Sequence, residues 1–218
     1  MRSKRSGRFW EGRFKCQKLV DETAILACSA YVDLNPVRAG VADAPEKSPY
    51  TSVYERVASE KAEPKEKARA KIRRKPSRRN RSGSLNGGQV GYVRRDEWLT
   101  PLTLDERSAA YQGAMPSKSG KRASDKGFLG MSFELYLKLL DWTARQIRRD
   151  DTKGRVPAEL APIMERIGLS GEIWCDVVKR FGKIFKRVAG TPESLAQEAI
   201  LRGRSGYRTG SSPLPITG

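Results

Sequence analysis

Residues 59–88 are drawn almost wholly from Lys, Arg, Glu, Ser and Gly, and this stretch limits the fold more than any other. So few apolar side chains cannot bury enough surface to offset the entropy of ordering the backbone. The segment 59–90 therefore reads as a basic disordered linker. It divides the chain into an N-terminal block (1–58), a docking segment with loops (91–131), a helical C-terminal block (132–201) and a flexible tail (202–218). With 218 residues there is room for one medium domain or two small ones. The periodic segments on both sides are mostly helical, so the expected fold class is mainly α with one short strand.

Charge narrows the partners. Forty-three Lys and Arg against 25 Asp and Glu leave +18 at pH 7, with a pI near 10.1. Such a chain gains affinity for polyanions by releasing counterions from phosphates, so nucleic acid is the expected partner. Clusters at Arg73, Arg74, Lys75, Arg78 and Arg79 would grip phosphates without reading sequence. No 18-residue apolar run and no signal peptide is visible, which favours a cytoplasmic protein over a membrane one. Cys16, Cys28 and Cys175 have no CxxC spacing and are odd in number, which argues against a disulfide framework or a zinc site. They read as small core residues.

The N-terminal block carries the candidate chemistry. Residues 9–14 alternate aromatic and polar side chains as a short strand does, and Arg8, Arg13, Lys15 and Lys18 around it are candidate phosphate contacts. Asp21 is a good N-cap for a helix expected from Glu22 to Leu34. Pro36 disfavours helical geometry at Asn35, so the helix should stop there. Tyr31 and Asn35 lie four apart and so share a face at its C-terminal end. A tyrosine there can attack phosphorus, and a metal ion beside it would polarise the phosphate. The carboxamide oxygen of Asn35 suits magnesium or manganese. The plainer reading stands beside this one: Tyr31 as a half-buried core aromatic and Asn35 as an ordinary helix stop. Residues 48–57 should form a turn and a short helix, with Ser52, Val53 and Val57 facing inward.

The runs FWEGRFKCQ, AYVDLNPVRAGV and SPYTS resemble the distal half of the catalytic domain of single-tyrosine HUH transposases, of the type associated with repetitive extragenic palindromes. The resemblance covers residues 7–57. It implies a remnant of an α+β domain in which Tyr31 is the nucleophile, Asn35 completes a divalent-metal site, and Arg38 lies in the DNA-contacting motif. It further implies DNA as partner, single-stranded or hairpin-flanked, and allows a homodimer. In that family two histidines on a central strand supply the other metal ligands, whereas this chain has no histidine. The expectation is a truncated chain, inactive alone. A non-catalytic, basic helical DNA-binding protein is the alternative.

In the C-terminal block Ser132 should cap a helix reaching Arg149, Pro157 should open a shorter one closed by Gly168, and Ser170 should cap a third running to Val188. Thr191 and Pro192 begin a fourth. Trp142, Trp174, Phe181 and Phe185 read as core. The turn at Gly168-Leu169-Ser170 also fits a helix-turn-helix, with Lys179, Arg180, Lys183, Lys186 and Arg187 near a DNA backbone. The block resembles an extension on some bacterial members of the same transposase group, which implies no known chemistry for it.

Overall fold

Asp21 opens the first helix as a cap should: its carboxylate accepts the Ala24 N–H at 2.7 Å, and α1 runs over Glu22–Asp33. The computed structural model describes residues 16–73, 96–105, 113–149 and 155–201, the side chains of 63–73 and 149 aside. Among them the fold is mainly helical. Strand β1 (Lys18–Leu19) precedes α1; a helical turn α2 (Asn35–Arg38) and a long α3 (Ser52–Arg73) follow it. Then come α4 (Phe133–Arg149), α5 (Ala161–Ile167), α6 (Gly171–Ile184), strand β2 (Val188–Ala189) and α7 (Pro192–Leu201). The two short strands pair in parallel, Lys18 beside Val188 and Leu19 beside Ala189.

Helix α1 packs chiefly on α6, and α4 touches both α2 and α6. One hydrophobic core results. Leu26 and Leu34 from the N-terminal block share it with Leu139, Leu140, Trp174, Val178 and Phe181 from the C-terminal block. Buried Ala24, Ala27 and Ala30 keep one side of α1 thin, which lets a neighbouring backbone approach. Polar ties reinforce the packing across the two blocks. Asp21 accepts the Thr191 N–H at 2.6 Å as well as capping its own helix. Gly190 beside it must lack a side chain, since a methyl there would lie 2.4 Å from Val20 and 2.9 Å from the Asp21 carboxylate. Glu22 pairs with Arg166 at 3.0 Å, and the buried Trp174 indole donates to Thr143 at 2.9 Å.

Several expectations need correction. The chain does not leave helical geometry at Asn35. Pro36, which lacks an N–H, interrupts the hydrogen-bond ladder after Asp33, but its fixed φ suits a helix start, and α2 resumes with Arg38 N–H bonded to Leu34 O at 2.9 Å. Helix α3 runs on to Arg73 where a linker was expected from residue 59. Its Ala, Lys and Glu are strong helix formers, so a segment can be helical without burying much. Helix α5 begins at Ala161, four residues after Pro157, which instead starts a turn accepting from Leu160 N–H at 2.9 Å. Helix α6 stops at Ile184: Phe185 is extended and Val188 belongs to β2. Trp98, expected to help dock its segment, is 60% exposed, whereas Leu102 is buried and Thr103 bridges to Leu129. The strand expected at 9–14, the helix expected near 104–112 and the tail 202–218 lie wholly or mostly outside the described residues.

The caps at Ser132 and Ser170 form as expected, accepting from Leu135 and Ile173 N–H. Gly168 ends α5 at φ 67°, a left-handed conformation that suits glycine. Cys175 is buried and Cys28 half-buried, but Cys16 is exposed and is no core residue.

Candidate nucleic-acid interface

Tyr31 sits in the last turn of α1, half-buried, with its ring between two neighbours. The Phe181 ring of α6 lies 5.7 Å away, tilted by 35°, and the Arg38 guanidinium lies 4.4 Å over the Tyr31 centroid. The early turn of α2 explains Arg38: continued helical geometry after Pro36 swings it back over α1. A guanidinium over a phenol ring is attracted by the ring's negative face. The hydroxyl points at α6, where a methyl on exposed Gly182 would stand 3.1 Å from it. Glycine thus lets the phenol tip lie close against the α6 backbone at the surface. The Arg38 Nη1 is buried with no hydrogen-bond partner among the described residues.

Asn35 is exposed, on the other side of the break in the ladder. It contributes one neutral oxygen. The nearest carboxylate in sequence, Asp33, turns the opposite way into the core, and among the described residues no group of three or more His, Cys, Asp or Glu could hold a metal. Asn35 alone does not fit a divalent ion; the remaining donors would have to come from outside the described residues.

Lys18 is not a free phosphate contact. Its ammonium donates to Glu198 at 2.6 Å, and that carboxylate is only 7% exposed, so the pair fastens β1 to α7. Arg73 ends α3, and Arg8, Arg13, Lys15, Arg74, Lys75, Arg78 and Arg79 lie outside the described residues. Of the basic residues on α6 and just after it, Arg180 is paired with Asp176 and Lys179 is half-buried, while Lys183, Lys186 and Arg187 are exposed. The aromatics Trp142, Trp174, Phe181 and Phe185 are all buried, so none is a base-stacking platform.

No family model, curated protein or solved structure matches this chain. The site must be read from its own chemistry.

A polar cluster that the sequence reading missed lies behind Tyr31. Asp33, 3% exposed, accepts from the Tyr136 hydroxyl at 2.8 Å and from Ser52 at 3.1 Å. Backbone N–H groups of Ser52 and Val53 also point to it, so it serves the start of α3. Burial pushes its carboxyl above the usual range despite these bonds, and burial pushes the Tyr136 phenol well up. Arg56 is buried nearby and donates to Thr100 O at 2.6 Å; desolvation lowers its pKa, and the charges of Asp96 and Asp33 partly restore it. This cluster joins α1, α3, α4 and the 96–105 segment. The signal was present in the spacing, since Leu26, Ala30 and Asp33 fall on one helical face.

A cleft of about 520 Å³ lies at the opposite end of α1 from Tyr31, walled by Ile25, Leu104 and Phe128 beside Asp21 and Glu22. Tyr31 does not line it.

Proposed function

We propose that this protein binds DNA as a transposase-derived chain acting in the cytoplasm, gripping the strand through its phosphates without cutting it by itself. The observation that carries the reading is the corner made by Tyr31, Arg38 and Gly182, where a phenol tip, a guanidinium and an open surface meet in a chain of net charge +18. Arginine and tyrosine are common donors to phosphate oxygens. Descent from the single-tyrosine transposases rests on the YVDLNPVRAG motif. Cleavage would need more: a tyrosine is a weak nucleophile until a base or metal activates it, and Asn35 offers one neutral ligand. Any divalent metal in the ancestral chemistry would need its other ligands from elsewhere. A homodimer stays part of the proposal as the arrangement the family resemblance allows.

Two measurements test this. Affinity for an oligothymidine should fall steeply as salt rises, because each phosphate contact releases a counterion. Binding indifferent to salt would count against the phosphate grip. Incubation with magnesium or manganese and a hairpin-flanked single strand should give no covalent protein–DNA adduct on a denaturing gel. An adduct that disappears in Tyr31→Phe would overturn the non-cleaving half of the reading.

A further inference from the structure

We propose that the C-terminal end of α6 and the Tyr31–Arg38 corner form one continuous phosphate-binding surface, so that the C-terminal block is part of the DNA contact. This rests on the DNA-binding reading above and adds where the strand lies.

From Val177 to Gly190 the sequence holds five Lys or Arg and no Asp or Glu. Arg180 is paired with Asp176 and Lys179 is half-buried. Lys183, Lys186 and Arg187 are exposed, and none of the three forms an ion pair among the described residues. They follow one another where the chain leaves α6. Lys183 adjoins Gly182, whose backbone packs against the Tyr31 hydroxyl. The helix ends at Ile184, Phe185 turns inward, and Lys186 and Arg187 follow the chain out toward β1, where the Arg187 carbonyl accepts the Lys18 N–H at 2.9 Å.

The negative end of the α6 dipole offsets part of the repulsion among these cations. Among the described residues no carboxylate relieves the rest, and a phosphodiester backbone supplies the missing charge. Arg38, half-buried over the Tyr31 ring, adds a further positive charge beside Tyr31. The complementarity is to a strand of anions, and exposed Gly182 puts no side chain between that strand and the half-buried Tyr31 phenol.

The test uses the full chain and fluorescence anisotropy with a labelled oligothymidine. One variant carries Lys183→Gln, Lys186→Gln and Arg187→Gln; a second of equal net charge carries Lys47→Gln, Lys118→Gln and Arg155→Gln, three exposed cations on other segments. All six positions are at the surface, and far-UV circular dichroism confirms that helical content is kept. The first variant should bind about tenfold or more weakly, with a salt slope lower by about 2, as for three lost single-strand contacts at ~0.7 each. The second should stay within about twofold of wild type. Equal losses in the two variants would overturn the inference while leaving DNA binding intact. Failure of the wild-type chain to bind at low salt would sink the DNA-binding reading itself. Displacement of the oligothymidine by anionic vesicles at equal phosphate, more readily than by unlabelled oligomer, would assign the surface to a membrane and overturn the proposal.

Discussion

Asp33 carries a carboxylate into a place that water barely reaches, and its titration should be visible in the stability of the whole protein. Burial raises its folded-state pKa above 3.8, outweighing the bonds from Tyr136, Ser52 and the start of α3. A raised acid binds more protons folded than unfolded just above pH 3.8. Its contribution is therefore fully present below that pH and is lost as pH rises through the folded pKa. The groups around it do not change the sign, since Tyr136 is held neutral and Arg56 is charged across this range. Asp33→Asn keeps an acceptor for Tyr136 and removes the titration. The gap in melting temperature between Asp33→Asn and wild type should shift in favour of the variant as pH rises from 4 through 6, read by differential scanning calorimetry. A gap that is constant with pH would show that Asp33 does not titrate in this window. Tyr50 offers a second residue-level test. It is fully exposed at φ 67°, a left-handed conformation that costs a non-glycine residue about 1–2 kcal/mol. Tyr50→Asn loses no packing and should raise stability by about 0.5–1 kcal/mol in a denaturant melt.

Helix starts on this chain are local events, and one of them joins two elements. Asp21 caps α1 with one oxygen and accepts the Thr191 N–H that leads into α7 with the other. Asp21→Ala should cost about 2 kcal/mol, a lost cap plus a stranded N–H, while Asp21→Asn should cost less than half as much. Urea midpoints decide between them; equal losses would mean that the charge, and not the acceptor, matters. The caps at Asp21, Ser132 and Ser170 were legible because a cap needs only its own side chain and the next turn. Helix ends were less so. The apolar period runs on through Phe185 and Val188, yet β1 claims that strand by pairing Lys18 with Val188, a contact 170 positions away that no local window contains. The start of α3 was legible, but its extension beyond residue 59 was missed because an argument from apolar content overlooks the helix propensity of its Ala, Lys and Glu. At the candidate site, the sequence brought out Tyr31 and the basic run on α6 separately. It could not show that Gly182 sets them side by side, because a glycine declares a close approach only once its neighbour is known.

At the scale of the molecule, the two blocks that the sequence separates by composition close on one core, and this bears on how they fold. The helical pattern of residues 132–201 suggests a unit that stands alone. In the folded chain, however, α6 gives its most extensive packing to α1, and Trp174, Val178 and Phe181 share their core with Leu26 and Leu34. Removing residues before 132 would strip α6 of that cover, expose Phe181 and Phe185, and take from β2 its parallel partner β1. It would also leave the Tyr136 hydroxyl without Asp33. A fragment of residues 132–201 should therefore keep helical signal but lose a cooperative melt. Cys175 gives a sharp readout. In the intact chain it is fully buried, and desolvation pushes its thiol up to about 12, so it should react with a thiol reagent only on unfolding, while exposed Cys16 reacts at once. Once α1 is gone, the Cys175 thiol in the fragment should become reactive in native buffer, because the wall that excludes water from that side of α6 is missing. A fragment that melts cooperatively and keeps Cys175 protected would show that the C-terminal helices complete their own core without α1.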